Sequence, residues 1–175
     1  RIDREKLKGL INEKTKGIII NTPHNPTGRV YSREELEGIA SIAKENDLFI
    51  ISDEVYKDFI YEGIHIPMGK MHENTITLGS FSKSHAVTGW RVGYAAGPKK
   101  VIEEMCKLQQ FTYVCANSAA QDAICDEIPL DGKELYEKNW KILEELDYDF
   151  VKPEGAFYVF LKVEGYENDQ EFVEE

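Results

Sequence analysis

The stretch from Lys16 to Ser52 constrains the fold more than any other part of this chain. Lys16 to Asn21 (KGIIIN) is a short β-branched apolar run that ends at a cluster of Pro, Asn and Gly. That is how a buried parallel strand runs into a loop. Ser32 then precedes Glu34, Glu35, Leu36, Ile39, Ile42 and Ala43. A polar start, an acidic first turn and apolar spacings of three and four describe an amphipathic helix reaching about Asn46. Leu48 to Ser52 (LFIIS) is a second apolar strand. Strand, helix, strand in that order is the βαβ unit that lays two parallel strands in one sheet.

Further along, Thr75 to Gly79 and Gly93 to Gly97 predict a third and a fourth strand, with function concentrated in the Ser80 to Arg91 loop between them. Pro98 opens a helix with Val101, Ile102, Met105 and Leu108 on one face, expected to continue toward Cys125. Leu135, Ile142, Leu143 and Leu146 mark another helix. Tyr148 to Val151 and Ala156 to Val163 predict two strands joined through Pro153 to Gly155. The change in texture puts a soft domain boundary near Gly97 to Lys100, dividing the chain into residues 1–97 and 98–175.

Composition narrows the function. The 175 residues fit one ordinary domain of ~100 to 200 residues. A formal net charge of -11 repels phosphate backbones and anionic lipid surfaces, which argues against nucleic-acid and membrane partners. No apolar run approaches the roughly 20 residues of a membrane span, so a cytoplasmic setting is expected. Cys106, Cys115 and Cys125 form no C-x-x-C pair and have no suitably spaced His; they predict no metal site and read as small buried hydrophobes. Asn25 cannot carry a glycan, because Pro26 follows it.

Ligands of open α/β sheets bind outside the carboxyl ends of the strands. Three such ends present Asn25, then Asp53 and Tyr56, then Ser80, Ser82 and Lys83. Each is ordinary alone: an Asp after a strand is often a helix cap, and an exposed Lys is usually a solvated charge. Together with Arg91 they supply a nucleophilic amine, an acid able to pair with a protonated ring nitrogen, a phenol, an amide and a phosphate-sized cluster of donors. Trp90 reads as a core aromatic, and His24 and His85 as local hydrogen-bonding groups.

N-x-P-x-N-P-T-G (Asn21 to Gly28), S-D-E-V-Y (Ser52 to Tyr56), S-F-S-K (Ser80 to Lys83), T-G-W-R-V-G-Y (Thr88 to Tyr94) and K-P-E-G-A-F-Y-V-F (Lys152 to Phe160) stand in that order. In this the chain closely resembles the class I and II aminotransferases, fold-type I enzymes that use pyridoxal 5'-phosphate. The resemblance implies an α/β, PLP-dependent transferase-like fold: part of a large domain with a mostly parallel sheet and flanking helices, plus part of an α+β small domain. It implies transfer of an amino group from an L-amino acid to a 2-oxo acid by a ping-pong cycle. Lys83 is expected to bind the cofactor as an internal aldimine and then to move a proton at the substrate α-carbon. Asp53 is expected beside the pyridine nitrogen, stabilising its protonated form. Asn25 and Tyr56 are expected on the cofactor's phenolic oxygen, and Ser80, Ser82 and Arg91 around its phosphate.

Family chains are about twice this length, so this sequence is expected to be a piece of a longer protein. The resemblance implies a stacking aromatic before Arg1, a substrate-carboxylate arginine beyond Glu175, and a homodimer as the full-length state. The stretch from Ala119 to Asp147 is about ten residues shorter than the family's two helices there need. Other readings keep the same residues: a PLP-dependent carbon-sulfur lyase, a cyclising synthase, or a non-catalytic PLP-binding or inactive fragment.

Overall fold

The computed structural model describes residues 2–125, 132–145, 150–162, 165 and 169–174. A seven-residue helix α1 (Arg4–Leu10) starts at Asp3, whose side chain accepts the Lys6 N–H. It follows Ile2 and precedes Ile11, which pack with Leu7 against the core. Strand β1 (Gly17–Asn21), helix α2 (Arg33–Glu45) and strand β2 (Phe49–Asp53) form the expected crossover, with β1 and β2 parallel. Strand β3 (Thr75–Ser80) extends the sheet in parallel on the other side of β2.

Helix α2 forms where it does because its start is specified. Ser32 Oγ accepts the Glu35 N–H at 3.2 Å and Glu35 Oε2 accepts the Ser32 N–H at 3.1 Å, a reciprocal capping box. The same carboxylate accepts the Ile2 N–H at 2.9 Å and the Arg29 guanidinium, tying α1 and the loop after β1 to the helix start. Burial would raise the Glu35 carboxyl, but these hydrogen bonds and Arg29 hold it below the usual range. The apolar face of α2 buries Leu36, Ile39, Ala40 and Ala43 against Ile20, Leu48, Ile50 and Met68. Each large side chain here contributes about 1.5–3 kcal/mol by leaving water.

Strand β4 (Gly93–Ala96) closes the sheet order β1-β2-β3-β4 and runs antiparallel to β3. Ser80 pairs with Gly93, so the 81–92 segment leaves and returns at one end of the sheet, and no crossover is made. That segment holds a single helical turn, α3 (Phe81–Ser84), and a 3-10 turn at Thr88–Trp90. Trp90 is 40% exposed and joins no core. The expected core aromatic is corrected here, because the loop carries it past the sheet's end.

Helix α4 (Lys99–Thr112) does not continue to Cys125. The chain reverses around Val114, which has φ of +64°, and restarts as α5 (Ser118–Cys125), where Asn117 Oδ1 accepts the Ala120 N–H. No residue of α4 is buried; Val101, Ile102 and Met105 are half-covered and Leu108 is exposed. Cys106, Cys115 and Cys125 are all exposed free thiols, contrary to the expected buried ones, because the helices that carry two of them turn those positions outward.

Helix α6 (Gly132–Glu144) matches the expected helix as far as Glu144; Leu146, Tyr148 and Val163 lie outside the described residues. Two short strands, β5 (Phe150–Val151) and β6 (Phe160–Leu161), pair antiparallel, and α7 (Asp169–Glu174) follows. Between them, residues 153–156 dock on the large sheet's loops. Gly155 N–H donates to the Gly28 carbonyl and Ala156 N–H to the Phe59 carbonyl, each at 2.8 Å. A Cβ on Gly28, whose φ is +68°, would meet Pro153 Cβ at 2.3 Å, so this seam requires glycine.

Candidate active site

The parallel register sets the level of the site. Asn21 pairs with Asp53, and Asp53 with Leu78, so the carboxyl ends of β1, β2 and β3 lie side by side. Asn21 Oδ1 accepts the Asn25 N–H at 2.7 Å and its amide donates to the Asp53 carbonyl at 3.1 Å. The 21–28 loop is thereby fixed over the end of β2. Asp53 Oδ1 accepts the Val55 N–H at 3.2 Å, opening the turn that carries Tyr56.

Tyr56 is 4% exposed. Its ring meets the edges of Phe157 and Tyr158 at centroid distances of 5.2 and 5.5 Å, and its hydroxyl lies 2.5 Å from that of Tyr158. Burial, then the Tyr158 hydroxyl and the charge of Asp53, push the Tyr56 phenol well above its ordinary range, while the Asn25 side chain acts against them. Asn25, Asp53 and Tyr56 therefore form one interacting group.

Lys83 sits on α3, half-buried, with its ammonium 5.3 Å from the centre of the Phe157 ring. Through Phe157 it joins the Tyr56 cluster. Ser80 Oγ caps α3 by accepting the Ser82 N–H at 3.1 Å and reaches toward the Val92 carbonyl at 3.4 Å; Ser82 is buried. Arg91 follows the Thr88–Trp90 turn two residues before β4, with φ of +56°, and donates to the Thr88 carbonyl at 3.2 Å. Among the described residues its guanidinium makes no polar contact with the side chains of Ser80 or Ser82.

The histidines behave as expected: His24 Nδ1 lies 2.8 Å from Thr27 Oγ1, and His85 Nδ1 lies 2.9 Å from Ser84 Oγ. Three residues were not anticipated. Phe157 and Tyr158 come from the G-A-F-Y run, whose local pattern signals only a strand. Glu54, inside S-D-E-V-Y, is buried and accepts from Ser52 Oγ (2.9 Å), the Met68 N–H (3.1 Å) and His65 Nε2 (2.8 Å). It anchors the 65–68 segment beneath the site.

Among the described residues, neither Asp53, Lys83 nor Arg91 pairs with an opposite charge. Charges held without partners are available to a charged ligand. A carboxylate, an amine and a guanidinium fit a molecule with a basic ring nitrogen, an electrophilic carbonyl and a phosphate. Among the same residues no group of His, Cys, Asp and Glu is arranged to hold a metal ion, and no helix is long and apolar enough to cross a membrane.

These charges stand together at the carboxyl ends of the strands of an α/β sheet. The sequence profile described as "Aminotransferase class I and II" matches residues 1–175, and the chain belongs to that family of PLP-dependent enzymes. It is 42% identical to an aspartate aminotransferase of Pyrococcus abyssi, covering 93% of this chain and 46% of the relative. It is 40% identical to aromatic-amino-acid aminotransferase 2 of Thermococcus litoralis, with the same coverage of 93% and 46%. The solved aspartate aminotransferase of Thermotoga maritima superimposes with a TM-score of 0.89 at 38% identity, covering 99% of this chain and 48% of that one. The chain thus spans about half the length of the curated relatives it matches.

Proposed function

We propose that this chain carries the cofactor-holding half of an aminotransferase that moves an amino group from an L-amino acid to a 2-oxo acid in a ping-pong cycle. The observation that carries the reading is the convergence of Asn25, Asp53, Tyr56 and Lys83 at adjacent strand ends, with the charges of Asp53 and Lys83 unpaired. Bound pyridoxal phosphate supplies an electrophilic carbon and an electron-withdrawing ring. Lys83 holds it through its amine and moves a proton to and from the substrate α-carbon. Asp53 keeps the ring nitrogen protonated by its charge. Tyr56 and Asn25 offer hydrogen bonds to the phenolic oxygen, and Ser80, Ser82 and Arg91 hold the phosphate, Arg91 by two parallel donors.

The division at residues 97 and 98 belongs to the same proposal, supported by the end of the sheet at Ala96 and the start of α4 at Lys99. So does a cytoplasmic homodimer. Three free exposed thiols suit a reducing compartment, and the apolar side chains Leu108 and Phe111 that α4 leaves in solvent call for cover.

The test is to add pyridoxal phosphate to the purified protein, record the visible band, reduce with borohydride and map the labelled peptide. A pyridoxyl group on Lys83 is expected. Transfer to 2-oxoglutarate should then be measured from acidic and aromatic amino acids, the classes named by the relatives. A folded protein that labels elsewhere or nowhere sinks the proposal, and amino-acid-dependent release of pyruvate and ammonia instead of transfer would assign a lyase.

A further inference from the structure

Resting on that reading, we infer that Tyr158 is a positioning residue that sets the direction of the Tyr56 hydroxyl proton, and so couples docking of the 153–158 segment to readiness of the site. The two hydroxyl oxygens are 2.5 Å apart although 102 positions separate the residues. Such a pair shares one hydrogen bond, and only one partner donates in it.

If Tyr56 donates to Tyr158, its single proton is spent inside the pair and none is left for a ligand. If Tyr158 donates, the Tyr56 proton is free to point at an acceptor oxygen in the site. The Asn25 side chain favours the Tyr56 phenolate and so works against Tyr158 and Asp53. With the Tyr158 proton on one lone pair, the Tyr56 O–H is left for the ligand. The charge of Asp53 disfavours the phenolate and so keeps the proton on the Tyr56 oxygen.

Tyr158 can do this because its backbone is pinned just before it. Gly155 and Ala156 donate to the Gly28 and Phe59 carbonyls, and Tyr61 Oη donates to the Ala156 carbonyl. Phe157 fills the space between Tyr56 and Lys83, with its ring against both. A segment that undocks takes Tyr158 away and leaves the Tyr56 proton without an imposed direction.

The test compares wild type, Tyr158→Phe, Tyr56→Phe and the double variant in the cofactor-loaded protein, following the visible band against pH. Tyr158→Phe keeps the ring, and circular dichroism checks its fold. Its midpoint is expected to move upward by roughly half a unit to one unit, because a phenolic oxygen that loses an oriented donor keeps its proton to higher pH. Tyr56→Phe should move it further, and the double variant no further than Tyr56→Phe alone. A Tyr158→Phe midpoint equal to wild type, or shifts that simply add, overturns the inference. If no band forms in any protein, the proposed function fails, yet the inference is still tested by ultraviolet titration of phenols in the free protein. There Tyr158→Phe should raise the titration of the phenol that Tyr56→Phe removes, because its anion loses a donor; an unchanged titration, or a lowered one that would make Tyr56 the donor, overturns the inference.

Discussion

The Glu154 carboxylate accepts the Val30 backbone N–H at 2.8 Å, bridging 124 positions of sequence. Its own carbonyl accepts the N–H groups of Tyr61 and Glu62 at 2.9 and 3.1 Å. One residue thus holds together the loop after β1, the segment after Tyr56 and the turn that delivers Phe157 and Tyr158. Glu154→Ala is expected to cost about 1–3 kcal/mol, since it leaves a half-buried N–H without its acceptor. Urea unfolding measures this, and amide exchange at 154–158 should speed up; a loss within about 0.3 kcal/mol would show that the bond is dispensable.

Gly155→Ala attacks the same seam by crowding. The added Cβ would stand 2.6 Å from the Phe59 carbonyl oxygen and 2.9 Å from a Val30 methyl, and backbone cannot swing aside as a side chain can. The expected loss is about 1–3 kcal/mol. Combined with Glu154→Ala, the losses should be less than additive, because both release one docked segment. Full additivity in a double-mutant cycle would place the two effects in separate structural units.

The Glu54 carboxyl gives stability a pH dependence of known sign. Burial opposes its charge, but hydrogen bonds from His65, the Met68 N–H and Ser52 outweigh it and hold the group below the usual carboxylate range. A depressed folded value means that the stabilisation is complete above the unfolded value of about 4.3 and is lost as pH falls through the folded one. Glu54→Gln should therefore flatten acid unfolding below about pH 5 while lowering stability at pH 7. Denaturant midpoints for both proteins from pH 3 to 7 decide it; parallel curves would remove Glu54 from the account.

How much of this was legible follows from the range of each signal. The β1–α2–β2 unit is written in a local period of apolar residues and a capping pair three residues apart, Ser32 and Glu35, so sequence alone places it. Asn25, Asp53, Tyr56 and Lys83 follow from strand ends that the parallel register must align. The Tyr56–Tyr158 contact spans 102 positions, and no local spacing encodes it. The exposure of Trp90 and of the three cysteines was missed because residue type speaks for average burial, not for which face a loop or helix presents. Helix α1, with seven residues, is too short for a period to show, and its cap at Asp3 was the one available signal.

Arg91 separates binding from folding most cleanly. Its guanidinium is exposed and, among the described residues, donates only to the Thr88 carbonyl, so Arg91→Lys should leave the urea midpoint within about 0.5 kcal/mol of wild type. Lysine keeps the charge but loses the planar pair of donors. If Arg91 holds the cofactor phosphate, the loss should appear as a roughly 10- to 100-fold weaker affinity for pyridoxal phosphate, with a much smaller change for pyridoxal, which has no phosphate to bind. Equilibrium titration of the visible band with each compound measures both. Equal weakening toward the two would mean that Arg91 shapes the loop and leaves the phosphate to other groups.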